Sequence, residues 1–365
     1  MRLDRRRRPT GPEVQAKSFD ADLERVLHSA LTLEGNCMRA MILAAGYGTR
    51  LWPLTVDRAK PAVPIMGRPL IGYVAEYLSR HGCREVVVNL HHQPESVRAA
   101  LGDGSRYGVR ACYVEEPEIL GTSGALDNAR RVLGEDFFAE TFVVINGKIV
   151  TDIDLAAALR AHREQNALAT LVLRVNSERE RYSVVETERG LIKSFNGFPD
   201  PVQDEGAAAP LMFTGIQILE PRVFDYIPPK VFSHSTTDVY PKAIAAGEKV
   251  VAHVSDGMWH ELSTIKRYLE TNLHLMARAG KRVELCSQAI VEDGADVNEA
   301  VLWEGAYIEK GARVRRAVLG AGVRVRAGCE IENAAVVRAD LVRAADPPPK
   351  ATPGEFRGEK FIVRL

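Results

Sequence analysis

The stretch Leu43–Pro69 reads LAAGYGTRLWPLTVDRAKPAVPIMGRP. Just before it, Met38-Arg39-Ala40-Met41-Ile42-Leu43 is a short apolar run that reads as a buried strand. The run ends in Ala44-Ala45, and a glycine-rich turn, Gly46-Tyr47-Gly48, leads to Thr49 and Arg50. Glycines permit positive φ and let backbone N–H groups come close to an anion. Thr49 adds a hydroxyl donor, and Arg50 a planar fork that matches phosphate oxygens. Lys60, braced by Pro61 and Pro64, supplies a second cation. Together these groups suit a polyphosphate. Leu51 stands where a dinucleotide-binding fingerprint needs its third glycine, and the G-x-x-x-x-G-K-[ST] spacing of a Walker loop is absent.

Outward from this loop, β-rich runs alternate with helical stretches. The runs are Met41–Ala44, Glu85–Leu90, Thr141–Ile145, Ala169–Val175 and Val250–Val254. The helical stretches are Leu70–His81, Pro94–Leu101, Ser123–Leu133, Asp154–Asn166 and Ile265–Ala279. Such alternation predicts an α/β fold with a doubly wound, mostly parallel sheet, whose ligands bind beyond the carboxyl ends of the strands.

After about residue 285 the period changes. ADVNEAVLWEGAYIEKG (295–311) aligns without gaps on ARVRRAVLGAGVRVRAG (312–328), and a partial third copy begins at Cys329. Gly294, Gly311 and Gly328 recur, as do Gly305 and Gly322. Turn glycines with apolar residues at hexad-like spacing predict short stacked coils, a left-handed parallel β-helix. Too few coils to protect their own ends must stack on the first domain or on another subunit, so a homo-oligomer is one expectation. The chain thus divides into an extension (1–37), an α/β domain (38–281), the coils (285–340) and a tail (341–365). The extension carries an arginine run, Arg5–Arg8, and a helix expected near Asp20–Leu33; Met38 is an alternative start.

The 365 residues carry 48 basic and 48 acidic side chains, a formal net charge of zero. There is no global field to attract nucleic acid, so anion binding must be local. No apolar run approaches the roughly 18–20 residues of a membrane helix, and no secretory signal follows the arginine run, so a cytoplasmic protein is expected. The five cysteines, Cys37, Cys83, Cys112, Cys286 and Cys329, form no C-x-x-C pair. Buried or free thiols are expected of them rather than a disulfide framework or a zinc site.

The string LAAGxGTRLxPLT…KPxxPxxGxP closely resembles the signature of the sugar-1-phosphate nucleotidyltransferases, and the resemblance runs through nearly all of 38–340. VNLHHQPE (88–95), EPEILGTSGAL (116–126), VINGKIVTDIDL (144–155) and WHELSTIKRYL (259–269) are similar to further family segments. The coils are similar to those appended to mannose-1-phosphate guanylyltransferases. The resemblance implies that a sugar-1-phosphate attacks the α-phosphate of a nucleoside triphosphate, and that pyrophosphate leaves with the help of Mg²⁺. It implies nucleotide contacts from Leu43, Ala44, Ala45, Gly46, Gly48, Thr49, Gly121 and Thr122, charge neutralisation by Arg50 and Lys60, and sugar contacts from Ser183 and Thr214. His91 and His92 read as structural, and Asp152 and Asp154 as turn and helix-cap residues.

Six positions depart from the family pattern, among them Ser263, where the family has a glycine. Lys148 stands where the family has a metal-binding aspartate, and Glu261 matches its second one. The family's F-x-E-K-P string is Phe195-Asn196-Gly197-Phe198-Pro199, without the glutamate and lysine that hold the sugar phosphate, and a family glycine is Ser183. Three readings stay open. Lys148 replaces the metal and pairs with Glu261; Mg²⁺ is held by Glu261 and the phosphates alone; or the chain is a regulatory homologue that binds a nucleotide or nucleotide sugar without turnover.

Overall fold

The protein was analysed as a computed structural model, which describes residues 38–199 and 208–365. The extension 1–37, with its arginine run and expected helix, lies outside the described residues. A nine-stranded sheet forms the first layer. Its strands are β1 (Met38–Leu43), β2 (Cys83–Leu90), β3 (Arg110–Glu115), β4 (Phe142–Asn146), β5 (Ala169–Val175), β6 (Val184–Glu188), β7 (Leu191–Phe195), β8 (Leu211–Leu219) and β9 (Val250–Val254). Their spatial order is β3-β2-β1-β4-β8-β5-β9-β7-β6.

The half from β3 to β4 is parallel throughout. The other half is mixed: β8 runs antiparallel to both β4 and β5, and β7 antiparallel to β9 and β6. The expectation of a mostly parallel sheet therefore holds for the half from β3 to β4 and fails beyond it. All five expected strands are present. The four others were missed because their pattern gives a weak signal. β6 and β7 form a hairpin whose turn, Arg189-Gly190, carries positive φ at both positions, a two-residue turn in which arginine replaces the usual asparagine.

Helices α1 (Leu70–Arg80), α2 (Pro94–Leu101), α3 (Ser123–Leu133), α4 (Leu155–Glu164) and α5 (Tyr240–Ala245) cover the sheet, and α6 (Ile265–Arg278) packs against the C-terminal coils. One core lies between the sheet and α1, α2 and α4, filled by residues such as Ile42, Val88, Ile145 and Leu78. A second lies on the other face, around Met41, Val144, Phe142 and Tyr240. Asp154 caps α4, its Oδ1 accepting from Ala157 N–H at 3.1 Å, and Asp152 Oδ1 accepts from Met258 N–H at 2.6 Å. Both aspartates hold turns, as expected.

The 17-residue period survives as strand register. β10 (Val283–Leu285), β11 (Asp296–Leu302), β12 (Arg313–Leu319) and β13 (Glu330–Arg338) pair in parallel, with Val297 on Val314 on Ile331 and Ala300 on Ala317 on Ala334. Three corners per coil have positive φ: Gln288, Gly294 and Glu299, then Gly305, Gly311 and Arg316, then Gly322, Gly328 and Asn333. Only some of these corners are glycine, so the glycine pattern understated the repeat. The tail is ordered. β14 (Lys360–Arg364) pairs antiparallel with β13 and folds on Glu355–Arg357, covering the last coil's edge. The first domain covers a flank: Leu51, Trp52, Leu54 and Tyr268 pack in one cluster with Val301, Trp303, Val318 and Phe361. Arg58 lies 4.7 Å over the Trp303 ring and pairs with Glu304 at 2.5 Å.

Candidate active site

Four parallel strands end side by side, and the residues that follow them line one cleft of about 260 Å³. β1 delivers Leu43, Ala44, Ala45, Gly46 and Gly48; β2 ends near Asn89; β3 is followed by Glu116, Ile119, Gly121 and Thr122; β4 leads into Asn146, Gly147 and Lys148. Lys60 and Pro61 form the remaining wall. Nine residues expected from sequence thus meet at one place: Leu43, Ala44, Ala45, Gly46, Gly48, Lys60, Gly121, Thr122 and Lys148. Thr49 and Arg50 sit on the adjoining 3-10 turn, Thr49–Leu51, with Arg50 exposed.

The loop's two glycines do different work. Gly48 has φ +65, and a Cβ there would press on Thr55 and Lys60 at 3.2–3.3 Å, so it lets the loop fold back on Lys60. A Cβ at Gly46 would meet nothing within 4 Å, so its backbone faces open space. Asn89 Oδ1 accepts from Ala44 N–H at 2.7 Å and fixes the loop's entry, while Asn89 Nδ2 donates to Glu116 Oε1 at 2.7 Å. Leu120 N–H donates to Glu116 Oε2 at 3.0 Å. Burial pushes the Glu116 carboxyl up from its ordinary range. His91 ties the loop to this edge, with Nδ1 2.8 Å from Glu116 O and Nε2 3.2 Å from Tyr47 Oη. That is the structural part expected of it.

Gly121 (φ +78) is fixed by a close approach: a Cβ would lie 2.3 Å from Ser233 O. That carbonyl accepts from Ser123 and Gly124 N–H at 3.1 and 3.3 Å. The first amides of α3 are therefore already satisfied.

Lys148 is placed by a two-stranded ribbon, Ile149–Thr151 against Trp259–Glu261, in which Glu261 pairs with Ile149. The ribbon ends with Leu262 N–H donating to Lys148 O at 3.0 Å. Lys148 Nζ consequently lies 2.7 Å from Glu261 Oε1, outside hydrogen-bond alignment but in close ionic contact. Glu261 Oε2 accepts from Tyr182 Oη at 2.9 Å, with Arg267 Nη1 at 3.5 Å. Arg267 also bonds Tyr182 Oη and Glu180. Burial alone would push the Glu261 carboxyl up; Lys148 overrides it and holds it at about 2. Burial pulls Lys60 down to about 7, and the neighbouring Lys148 adds to the shift.

The donor set does not fit a protein-held Mg²⁺. A hard divalent cation takes carboxylate oxygens, of which this corner offers Glu261 alone among the described residues, and a cationic ammonium already occupies its approach. No cluster of three His, Cys, Asp or Glu side chains with metal-binding geometry occurs among the described residues.

A second cleft, of about 390 Å³, opens on the other side of Glu261. Arg174, Asn176, Met212, Trp259, His260 and Arg267 line it. The two residues expected to touch sugar line neither cleft. Ser183 is exposed, and Thr214 is buried with its hydroxyl donating to Val172 O at 2.7 Å.

Sequence reasoning missed Asn89, Glu116, Asn146, Tyr182 and Arg267. The first three lie inside the segments VNLHHQPE, EPEILGTSGAL and VINGKIVTDIDL, at the carboxyl ends of strands, and that position was the available signal. Tyr182 and Arg267 are 85 residues apart, and only the fold brings them to Glu261.

The nucleotidyl transferase family profile matches residues 39–278, and a GlmU-like C-terminal hexapeptide profile matches 277–342. The chain belongs to the nucleotidyl transferase family. It is 34% identical over 260 residues to a UTP–glucose-1-phosphate uridylyltransferase of Synechocystis sp., covering 68% of this chain and 66% of that one. A mannose-1-phosphate guanylyltransferase of Mycobacterium tuberculosis is 32% identical over 276 residues, 73% of each chain. The first match spans about two thirds of that relative's length. A solved Bacillus anthracis structure, of a candidate glucose-1-phosphate thymidylyltransferase, superimposes with a TM-score of 0.53 over 64% of this chain and 94% of that one. At 24% identity that likeness speaks for the fold alone.

Proposed function

We infer that the protein is a sugar-1-phosphate nucleotidyltransferase, and that the nucleoside triphosphate lies in the cleft at the carboxyl ends of β1–β4. The carrying observation is that cleft itself. Its glycine loop and two lysines stand at one end and the Asn89–Glu116 pair at the other. Four strands spaced about 4.8 Å apart span roughly 14 Å, enough for a base, a ribose and a phosphate chain. The phosphates belong at the cationic end. There Arg50 and Lys60 neutralise the charge that builds on departing pyrophosphate, and the open backbone at Gly46 admits the phosphate oxygens.

The base belongs against Glu116, and the choice of base follows from an acceptor-only group. An ionised carboxylate held by Asn89 and Leu120 keeps spare lone pairs. Guanine offers two adjacent donors, N1–H and N2–H₂, to match them. Uracil and thymine offer one N–H flanked by two carbonyl oxygens, which the carboxylate repels. The acceptor sugar phosphate has space in the second cleft, where Arg174 is the cation beside Trp259. In the reaction a phosphate oxygen of the sugar-1-phosphate bonds to the α-phosphorus and the bridging oxygen leaves with pyrophosphate. The protein's share is alignment and charge neutralisation. The coils, read as a left-handed β-helix, buttress the loop from behind, and their free face suits a second copy of the chain.

A panel of nucleoside triphosphates with glucose-1-phosphate or mannose-1-phosphate, in the presence of Mg²⁺, tests this. Pyrophosphate should appear fastest with GTP. Thermal stabilisation by nucleotides with no pyrophosphate from any pair would sink the enzymatic reading in favour of a regulatory nucleotide-binding protein.

A further inference from the structure

We propose that the Lys148–Glu261 pair is a built-in substitute for a metal ion, so that the cleft binds the polyphosphate chain in its metal-free form. The proposal rests on the reading of the cleft as a polyphosphate site. Its ground is geometric. Lys148 is part of the cleft wall, 2.7 Å from the Glu261 carboxylate. Glu261, 4% exposed, is held from behind by Tyr182 and by Arg267, which is itself tied to Glu180. Tyr182 and Arg267 act as positioning residues, fixing Glu261 and through it the ammonium. Lys60, 9% exposed, faces the same space.

A divalent cation entering here would meet the Lys148 ammonium, joined below about pH 7 by that of Lys60, and, among the described residues, one carboxylate, already paired. A phosphate oxygen meets the opposite situation. It gains two cations and needs none of its own. Where other sites spend two carboxylates to hold a cation for the phosphates, this one carries the cation on the chain, with one carboxylate to orient it.

The test uses the full chain and inorganic pyrophosphate, titrated calorimetrically in EDTA and in excess MgCl₂. The wild type should bind in EDTA, with affinity improved less than threefold by Mg²⁺. Lys148→Asp should bind at least tenfold more weakly in EDTA and recover when Mg²⁺ is added. Lys148→Met, which keeps the stem but not the charge, should be weak in both, and thermal melts of both variants check folding. A wild-type gain of threefold or more from Mg²⁺, or no binding in EDTA, would overturn the proposal. Mn²⁺ alone separates the outcomes further. Its paramagnetic signal should stay undiminished with wild type and be quenched by Lys148→Asp; quenching by the wild type would also overturn the proposal. Pyrophosphate binding in EDTA without any nucleotide turnover would leave this proposal standing and remove the enzymatic one.

Discussion

Lys60 carries the clearest pH signature in the molecule. Burial lowers its ammonium from the usual 10.5 to about 7, so at pH 8 most of it is neutral in the free protein. A bound polyphosphate favours the charged form, so binding near pH 8 should take up close to one proton per site. Calorimetry in two buffers of different ionisation enthalpy would read that uptake, and affinity should fall as pH rises from 7 to 9. The stability sign is the same as for a paired carboxylate, whose folded pKa is also depressed, and opposite to that of a lysine stabilised by an ion pair. The unfolded chain binds the extra proton between about pH 7 and 10.5, so this group's contribution to stability rises with pH across that window. Glu116 gives a second residue-scale prediction. Glu116→Gln exchanges one acceptor for a donor, and the preference for GTP over UTP should fall by about 10- to 100-fold, as expected for one buried hydrogen bond made or left unpaired. An unchanged ratio in competition kinetics would count against the base assignment. Residue chemistry at the loop was legible in sequence because glycine, arginine and lysine sit within one local segment. The Glu116 acceptor was not. Its significance depends on Asn89, 27 residues away, and on where β3 ends.

At the scale of elements, the cleft depends on segments that never touch a ligand. The carbonyl of Ser233 caps the start of α3 and leaves no room beside Gly121. Gly121→Ala combines a backbone φ of +78 with a 2.3 Å collision, so it should cost about 2–4 kcal/mol in urea denaturation. A cost under 1 kcal/mol would mean that the loop is free to move aside. Helices were the easiest elements to read. α2 and α3 match their expected spans, since apolar periodicity, Pro94 at the first turn of α2 and Gly102 and Gly134 beyond the ends are local signals. β8 was illegible for the opposite reason. LMFTGIQIL is apolar on both faces because helices cover both sides of the sheet, and its antiparallel direction is set by partners far away in sequence. The coil corners at Glu299, Arg316 and Asn333 hid likewise, because residues other than glycine adopt positive φ there.

At the scale of the whole molecule, the segment after the glycine loop and the coils share one apolar cluster. Trp303 is its centre, 1% exposed, with Nε1 donating to Tyr268 Oη at 2.8 Å and Arg58 over its ring. Trp303→Ala should destabilise the protein by about 3–5 kcal/mol. It should also weaken nucleotide binding, because Leu51 and Trp52, directly behind Arg50, lose their backing. A large loss of stability with unchanged nucleotide affinity would show that the coils are a passive appendage. The sequence revealed the coils through their period but not what they rest on, since neither Trp52 nor Trp303 carries a mark of its partner. The central claim, nucleotidyl transfer in the β1–β4 cleft, is tested most directly by ³¹P NMR of the full chain with GTP, mannose-1-phosphate or glucose-1-phosphate, and Mg²⁺. The account predicts a nucleotide-sugar diphosphate and pyrophosphate growing in equal amounts, with the rate reduced about 10²- to 10³-fold in Arg50→Ala, as for loss of a group that stabilises transition-state charge. Unchanged GTP and sugar phosphate resonances with the wild type, or an Arg50→Ala variant as fast as the wild type, would contradict it.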